Sequence, residues 1–188
     1  VSILCVDDEP LVLEVLKKFF EHEPGFSVKT CTNGKDALEL LNALEFDAII
    51  SDYGLPDMDG INLLREVRGR GSSSLFIIIT GKHRAQVAID ALNNGADYYV
   101  QKGGGIVQDI PQLAEFISEG VGKIRAQRAL FESERTYRSI IENHSDILTR
   151  FSPEGELCFV NNSYMDFIGK QNNECIGGNF FSLIPQRE

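Results

Sequence analysis

The sequence predicts an α/β protein: a five-stranded, parallel, doubly wound sheet, then a long helical linker, then a smaller, partial α+β piece. Three observations carry this. Short apolar runs alternate with helix-period segments through residue 111. Runs such as Ile3-Leu4-Cys5-Val6 and Phe76-Ile77-Ile78-Ile79 are apolar on both faces, as parallel strands covered by helices above and below must be. Beyond Pro111 the alternation stops, and no proline recurs until Pro153.

Taken in order, strands are expected at 3–6, 26–31, 48–51, 76–80 and 98–101. The first helix presents Leu11, Val12, Val15, Leu16 and Phe19 on one stripe, and further helices follow near 35–44, 60–69 and 84–94. Residues 112 to about 142 read as one long helix. Within it Ile117, Val121, Ile124, Arg128 and Phe131 are spaced 4, 3, 4 and 3, a short heptad seam interrupted by Arg128. That stripe either packs on its own domain or forms a dimerising, signal-transmitting linker, and Gly120 and Gly122 weaken the helix locally. From about Ser133 a helix through Ile140 and Ile141, a strand at 147–151, a Pro153-Glu154-Gly155 turn and a strand at 157–160 form an antiparallel unit. The expected domains are 1–120, a helical linker over 112–134, and 135–188.

Composition narrows the function. With 43% hydrophobic and 24% charged residues, the chain has what a packed core requires. Its net charge of -10 lies mostly in residues 1–111 and repels phosphate backbones and anionic lipid, so nucleic acid and membranes are not expected partners. Cys5, Cys31, Cys158 and Cys175 show neither metal-ligand spacing nor the density of a disulfide scaffold, and read as reduced thiols of a cytoplasmic protein. No apolar run is long enough for a membrane span, and no leader opens the chain.

The chemistry lies in the carboxylates. Asp7-Asp8-Glu9 follows the first strand and Asp52 ends the third. In open α/β sheets ligands bind beyond the carboxyl ends of the strands where strand order reverses. If the first and third strands are neighbours there, Asp7, Asp8 and Asp52 converge, and their repulsion calls for a cation. An all-oxygen site suits Mg²⁺. Alone, Asp7 to Pro10 is a helix start, an acidic cap before a proline. Company at the same sheet edge shifts the balance: Thr80 ends the fourth strand and Lys102 follows the fifth, a hydroxyl donor and a compact cation. Three acids, a hydroxyl and an ammonium suit phosphoryl transfer to a carboxylate.

At this point the sequence resembles the receiver domain of two-component response regulators, a CheY-like, flavodoxin-like fold, over residues 1–120. The marks are Val6-Asp7-Asp8-Glu9-Pro10, Asp52 followed by Leu55-Pro56-Asp57-Met58-Asp59-Gly60, Thr80-Gly81, Gly95-Ala96-Asp97, and Tyr99 three residues before Lys102. The resemblance implies that Asp52 accepts a phosphoryl group from a phosphohistidine of a sensor histidine kinase or phosphotransfer protein. It also implies that Asp7, Asp8, Asp52 and the Gly54 backbone carbonyl hold Mg²⁺, and that Lys102 and Thr80 contact the phosphoryl oxygens. Thr80 and Tyr99 would be the switch residues, and Gly81 leaves room beside the phosphoryl group. One departure stands out. The family has proline after the lysine, in a cis peptide, whereas Lys102 precedes Gly103-Gly104-Gly105. A cis bond at a non-proline residue costs about 2.5 to 4 kcal/mol, so the aim of the lysine and the lifetime of the phosphoryl group stay open.

Other candidates are weaker. Asp57-Met58-Asp59 has the two-acid spacing of haloacid-dehalogenase-like phosphatases, but no apolar strand enters it, and it reads as a loop starting the helix at Gly60. His22, His83 and His144 are scattered, and His144-Ser145-Asp146 lacks the helical hairpin of a kinase phosphorylation box.

Residues 135–188 resemble the opening half of a PAS domain: Tyr137 to Glu142, Asp146 to Phe151, Phe159-Val160-Asn161-Asn162, Phe167-Ile168-Gly169 and the tail 176–185. Some 54 residues follow Glu134 where that family needs about a hundred, so the chain is expected to stop within the domain. Phe180 follows Asn179 where blue-light members carry a reactive cysteine, Cys175 reads as a small buried residue, and no cofactor is expected in this half. The reading is a phosphorelay protein whose receiver couples through a helix to a PAS module, homodimeric through the linker and belonging to a hybrid sensor kinase or a related assembly. The alternatives are a phosphorylation-independent dimerisation scaffold and a phosphatase using Asp52 as nucleophile.

Overall fold

The computed structural model describes residues 1–81, 85–103 and 106–179. The expectations for Gly104, Gly105, His83 and the tail from Phe180 lie outside these residues. Two compact units divide between Ala126 and Gln127, inside the expected linker.

The first unit is the parallel sheet. Strands β1 (Ser2–Val6), β2 (Ser27–Cys31), β3 (Ala48–Asp52), β4 (Leu75–Thr80) and β5 (Tyr98–Gln101) pair in the order β2-β1-β3-β4-β5. Helices α1 (Pro10–His22), α2 (Gly34–Ala43), α3 (Gly60–Gly69), α4 (Ala85–Asn93) and α5 (Ile106–Glu142) connect or follow them. Strand order reverses between β1 and β3, and that reversal opens the crevice at their carboxyl ends. Alternation within each strand feeds two cores. Ile3, Cys5, Ile50, Ile77 and Ile79 meet α1 and α5 on one face, whereas Leu4, Val6, Ile49, Phe76 and Ile78 meet α2, α3 and α4 on the other. The central strands β1, β3 and β4 are apolar on both faces because both are covered, whereas the edge strand β2 exposes Ser27 and Lys29.

Two expectations shift. Helix α1 buries Val12, Leu13, Leu16 and Phe20 and leaves Leu11 71% exposed, so the stripe is turned from the expected one; Val15 and Phe19 only border the core. Leu11, next to Pro10 at the helix start, precedes the first full turn over the sheet. Helix α5 starts at Ile106 and includes Pro111, six residues before the expected start. A proline so near the N-terminus removes only one intrahelical bond. Ile117 and Val121 are buried against the unit's own sheet and Ile124 borders it, while Phe131 is exposed, so the first half of the heptad seam is core. Gly120 lies on this face. A Cβ there would collide with Leu75 Cδ1, so the glycine admits close approach of helix and sheet.

Gly95-Ala96-Asp97 proves to be joinery. Arg68 of α3 donates to the Gly95, Ser72 and Ser74 carbonyls and pairs with Asp97 Oδ2 at 3.0 Å, and Asp97 Oδ2 also accepts the Phe76 N–H at 2.8 Å.

In the second unit β6 (Thr149–Phe151) and β7 (Leu157–Val160) form an antiparallel pair, followed by α6 (Asn162–Ile168) and α7 (Asn172–Cys175). Strand β6 starts two residues later than expected, leaving Ile147 partly exposed. The fully buried Asn161 ties this unit together. Its side-chain oxygen accepts the Leu148 and Tyr164 N–H groups at 3.0 and 3.1 Å, and its amide donates to the His144 and Asp146 carbonyls at 3.2 and 2.8 Å. All of its bonding capacity is met, which is what makes a buried amide tolerable. Leu157, Val160, Tyr164 and Cys175 form a small separate core.

Candidate functional site

Strand register assembles the site. Val6 pairs with Ser51, so Asp7 and Asp52 emerge side by side at the carboxyl edge, and Thr80 pairs with Gln101, which delivers Lys102 to the same edge. The Lys102 N–H donates to the Thr80 carbonyl at 2.9 Å. Its ammonium lies 3.0 Å from Asp7 Oδ2 and 2.9 Å from Asp52 Oδ1. Glu9, which sequence reasoning placed only in the motif, lies 3.9 Å from the same ammonium; its presence in the acidic triplet was the available signal.

Each acid is aimed locally. Asp7 Oδ1 accepts the Glu9 N–H at 2.9 Å, and Pro10 follows as the first residue of α1, so the helix start and the carboxylate site are one structure. Asp52 Oδ2 accepts the Gly54 N–H at 2.6 Å. The loop after Asp52 is closed by a bridge between Gly54 and Asp59 and by the Gly60 N–H on the Tyr53 carbonyl at 2.8 Å. A Cβ on Gly60 would lie 2.6 Å from the Asp52 carbonyl oxygen, so only glycine lets α3 begin this close to the acceptor strand.

Asp57 and Asp59 are caps. Asp59 Oδ1 accepts the Asn62 N–H at 2.7 Å, while Asp57 accepts the Gly34 and Lys35 N–H groups at 2.9 Å each, capping α2 from another loop. Though burial acts the other way, these two N–H bonds hold the Asp57 carboxyl below the usual range. The second cap was invisible in the sequence, because it joins residues more than twenty positions apart.

Burial pushes the Asp7 carboxyl up, against the Glu9 N–H and Lys102, which pull it down. Burial alone would lower Lys102, but its hydrogen bond to Asp52 and the two carboxylates outweigh it and hold the ammonium protonated. Thr80 is buried at the end of β4. Tyr99 is half-buried against the α2, α3 and α4 side of the sheet, and that burial raises its hydroxyl. Asp8 is exposed and stands outside the ion-pair cluster. Among the described residues no group of three acid, histidine or cysteine side chains is arranged to hold a metal ion. The donor chemistry still fits one: Asp7, Asp8, Asp52 and the Gly54 carbonyl are all hard oxygen donors, and one lysine leaves the cluster net negative. No helix among the described residues is long and apolar enough to cross a membrane.

Comparison with known proteins agrees with this geometry. Residues 3–118 match the model of the response regulator receiver domain. The response regulator SaeR of Staphylococcus aureus is 35% identical over 100 residues, which are 53% of this chain and 43% of that protein. The chain therefore spans less than half the length of that relative. Among solved structures, the response regulator domain of Thermotoga maritima CheB superposes with a TM-score of 0.60 at 27% identity, covering 65% of this chain and 96% of that one. The Francisella response regulator 1452 receiver domain gives 0.56 at 28%, covering 63% and 98%. With the parallel sheet, its switch point and the acid-lysine cluster in place, the chain belongs over residues 3–118 to the response regulator receiver domains of two-component, phosphorylation-based signalling.

Proposed function

We propose that Asp52 is the phosphoacceptor of a phosphorelay. An Asp52 carboxylate oxygen attacks the phosphorus of a phosphohistidine on a sensor histidine kinase or phosphotransfer protein. The new P–O bond forms as the P–N bond breaks, the imidazole leaves with the bond electrons, and an acyl phosphate remains. The observation that carries this is the Lys102 ammonium held 2.9 Å from Asp52 at the switch point, where it would meet charge on the phosphoryl oxygens. The Gly54 N–H fixes one Asp52 oxygen and Lys102 the other, so the carboxylate is oriented before a donor arrives. Asp7, Asp8, Asp52 and the Gly54 carbonyl would hold Mg²⁺, which when bound supplies charge neutralisation to the transferring group. Thr80 and Tyr99, on adjacent strands, would respond to the added charge.

The second unit fits the opening of a PAS domain in its element order, which supports a sensor module coupled to the receiver, in a hybrid sensor kinase or a related assembly. Leu130, Phe131, Tyr137 and Ile140 are exposed on α5, and this observation favours self-association through that helix, with or without phosphorylation. A phosphatase acting through Asp52 would need a separate acid-base group, and among the described residues the cluster offers none beyond its own ion pairs. The net charge of -10 argues against nucleic acid as a direct partner of this chain. A cytoplasmic setting suits the proposed kinase partner.

The test is intact mass after incubation with Mg²⁺ and acetyl phosphate. One phosphate on the wild type, absent from Asp52→Asn and removed by hydroxylamine, supports the reading. No adduct on the wild type overturns it.

A further inference from the structure

The peptide after Lys102 holds a second device. The Gly103 N–H donates to Asp109 Oδ2 at 3.4 Å, and a Cβ on Gly103 would lie 3.7 Å from Asp109 Oδ1. Asp109 sits in the first turn of α5, buried beside Ile110. A carboxylate taken out of water is costly unless it receives hydrogen bonds, and a bond to a charged acceptor is stronger than a neutral one of the same geometry. Successive N–H groups on this strand end are thus engaged, that of Lys102 by the Thr80 carbonyl at 2.9 Å and that of Gly103 by Asp109. No cis peptide occurs among the described residues, so the Lys102–Gly103 bond is trans. A proline at 103 would have no N–H to give.

We infer that Asp109 is a positioning residue for Lys102: by accepting the Gly103 N–H it pins the end of β5 to the first turn of α5 and so aims the ammonium at Asp7 and Asp52. The inference rests on the reading of Lys102 as the cation of the phosphoryl-transfer site. Asp109 touches neither the acceptor nor the donor and acts only through the backbone next to the lysine.

The experiment uses the full chain with Mg²⁺ and acetyl phosphate, following the rate of adduct formation by intact mass. Asp109→Ala slows labelling about tenfold, a modest share of what misplacing a reacting group costs. Asp109→Asn keeps an acceptor oxygen and stays within about threefold of wild type. In a Lys102→Ala background, Asp109→Ala slows labelling no further. A merely structural role would slow both backgrounds alike, and that result, or wild-type labelling by Asp109→Ala, overturns the inference. Amide exchange at Gly103 gives a readout independent of phosphate: protection lost in Asp109→Ala and kept in Asp109→Asn supports the link, and protection unchanged in Asp109→Ala overturns it. A wild type that takes no phosphate defeats the function reading alone, and the Gly103 exchange then decides for or against the Asp109 link.

Discussion

Replacing Lys102 by methionine keeps the aliphatic stem and deletes the charge between two carboxylates. At 3.0 and 2.9 Å, each pair carries a gross Coulomb attraction on the order of 5 kcal/mol at an effective dielectric near 20. Desolvation of the three ions offsets most of that, and removing one partner of a fully buried pair costs about 3 to 5 kcal/mol. Here the lysine side chain retains 17% of its exposure and Asp52 12%, so water reaches the cluster, and the expected loss is about 2 to 3 kcal/mol. For a unit of this size that lowers Tm by roughly 8 °C. The sign follows from the titration. Burial pulls the ammonium down, but Asp52 and Asp7 raise it above its unfolded value. Its stabilisation is therefore complete below the unfolded value and is lost only as pH rises through the higher, folded one. The deficit should thus be full at neutral pH, measured by thermal and urea unfolding with EDTA present. Adding Asp7→Asn removes the buried charge left unpaired and should restore about 1 kcal/mol or more, a coupling read from the double-mutant cycle. A Lys102→Met chain that melts at or above wild type would refute the reasoning.

Other perturbations have equally definite outcomes. Gly120→Ala drives a Cβ into Leu75 and should cost about 1 to 3 kcal/mol by urea unfolding, with Leu75→Ala in the same chain recovering part of it. Asp47 is pushed up by partial burial but held lower overall by the Ser2 N–H at 2.8 Å and by Arg125 at 2.9 Å. Its stabilisation is present above the unfolded carboxyl value and lost as pH falls through the folded one, so Asp47→Asn should flatten the acid limb of Tm against pH and leave the alkaline limb unchanged. Asn161→Leu strands the Leu148 N–H and the Asp146 carbonyl and takes one of two partners from the Tyr164 N–H and the His144 carbonyl, and should lower the stability of the second unit by about 2 to 3 kcal/mol, seen as faster proteolysis within residues 127–179.

The parallel sheet was legible because its central strands are apolar on both faces, a pattern few other architectures require. Where the acids, Thr80 and Lys102 fall along the chain was legible for a related reason: each lies at or just beyond a strand's carboxyl end, and register alone brings such residues to one edge. Periodicity failed at α1, because Leu11 to Phe20 offers enough apolar positions for two overlapping stripes, and only the sheet beneath chooses between them. Asp57, Gly120 and Arg68 escaped for another reason. A cap, a close approach and a carbonyl clamp each join residues far apart in sequence, and no local pattern records such a partner. Gly120 was read as a weakness of the helix, when the fit of α5 against Leu75 depends on it.

The loop from Tyr53 to Asp59 caps the starts of two helices, α2 through Asp57 and α3 through Asp59, while it leads directly out of the acceptor strand. For anyone engineering this chain, it is therefore a poor place for a tag, a fluorophore or an inserted domain, despite lying at the surface where insertions are usually tolerated. One added residue would release Asp57 from α2, unseat Asp59 from α3 and loosen the Gly54 amide on Asp52 together. A sensor built on this scaffold should take its insertion elsewhere and leave those seven residues at their native length.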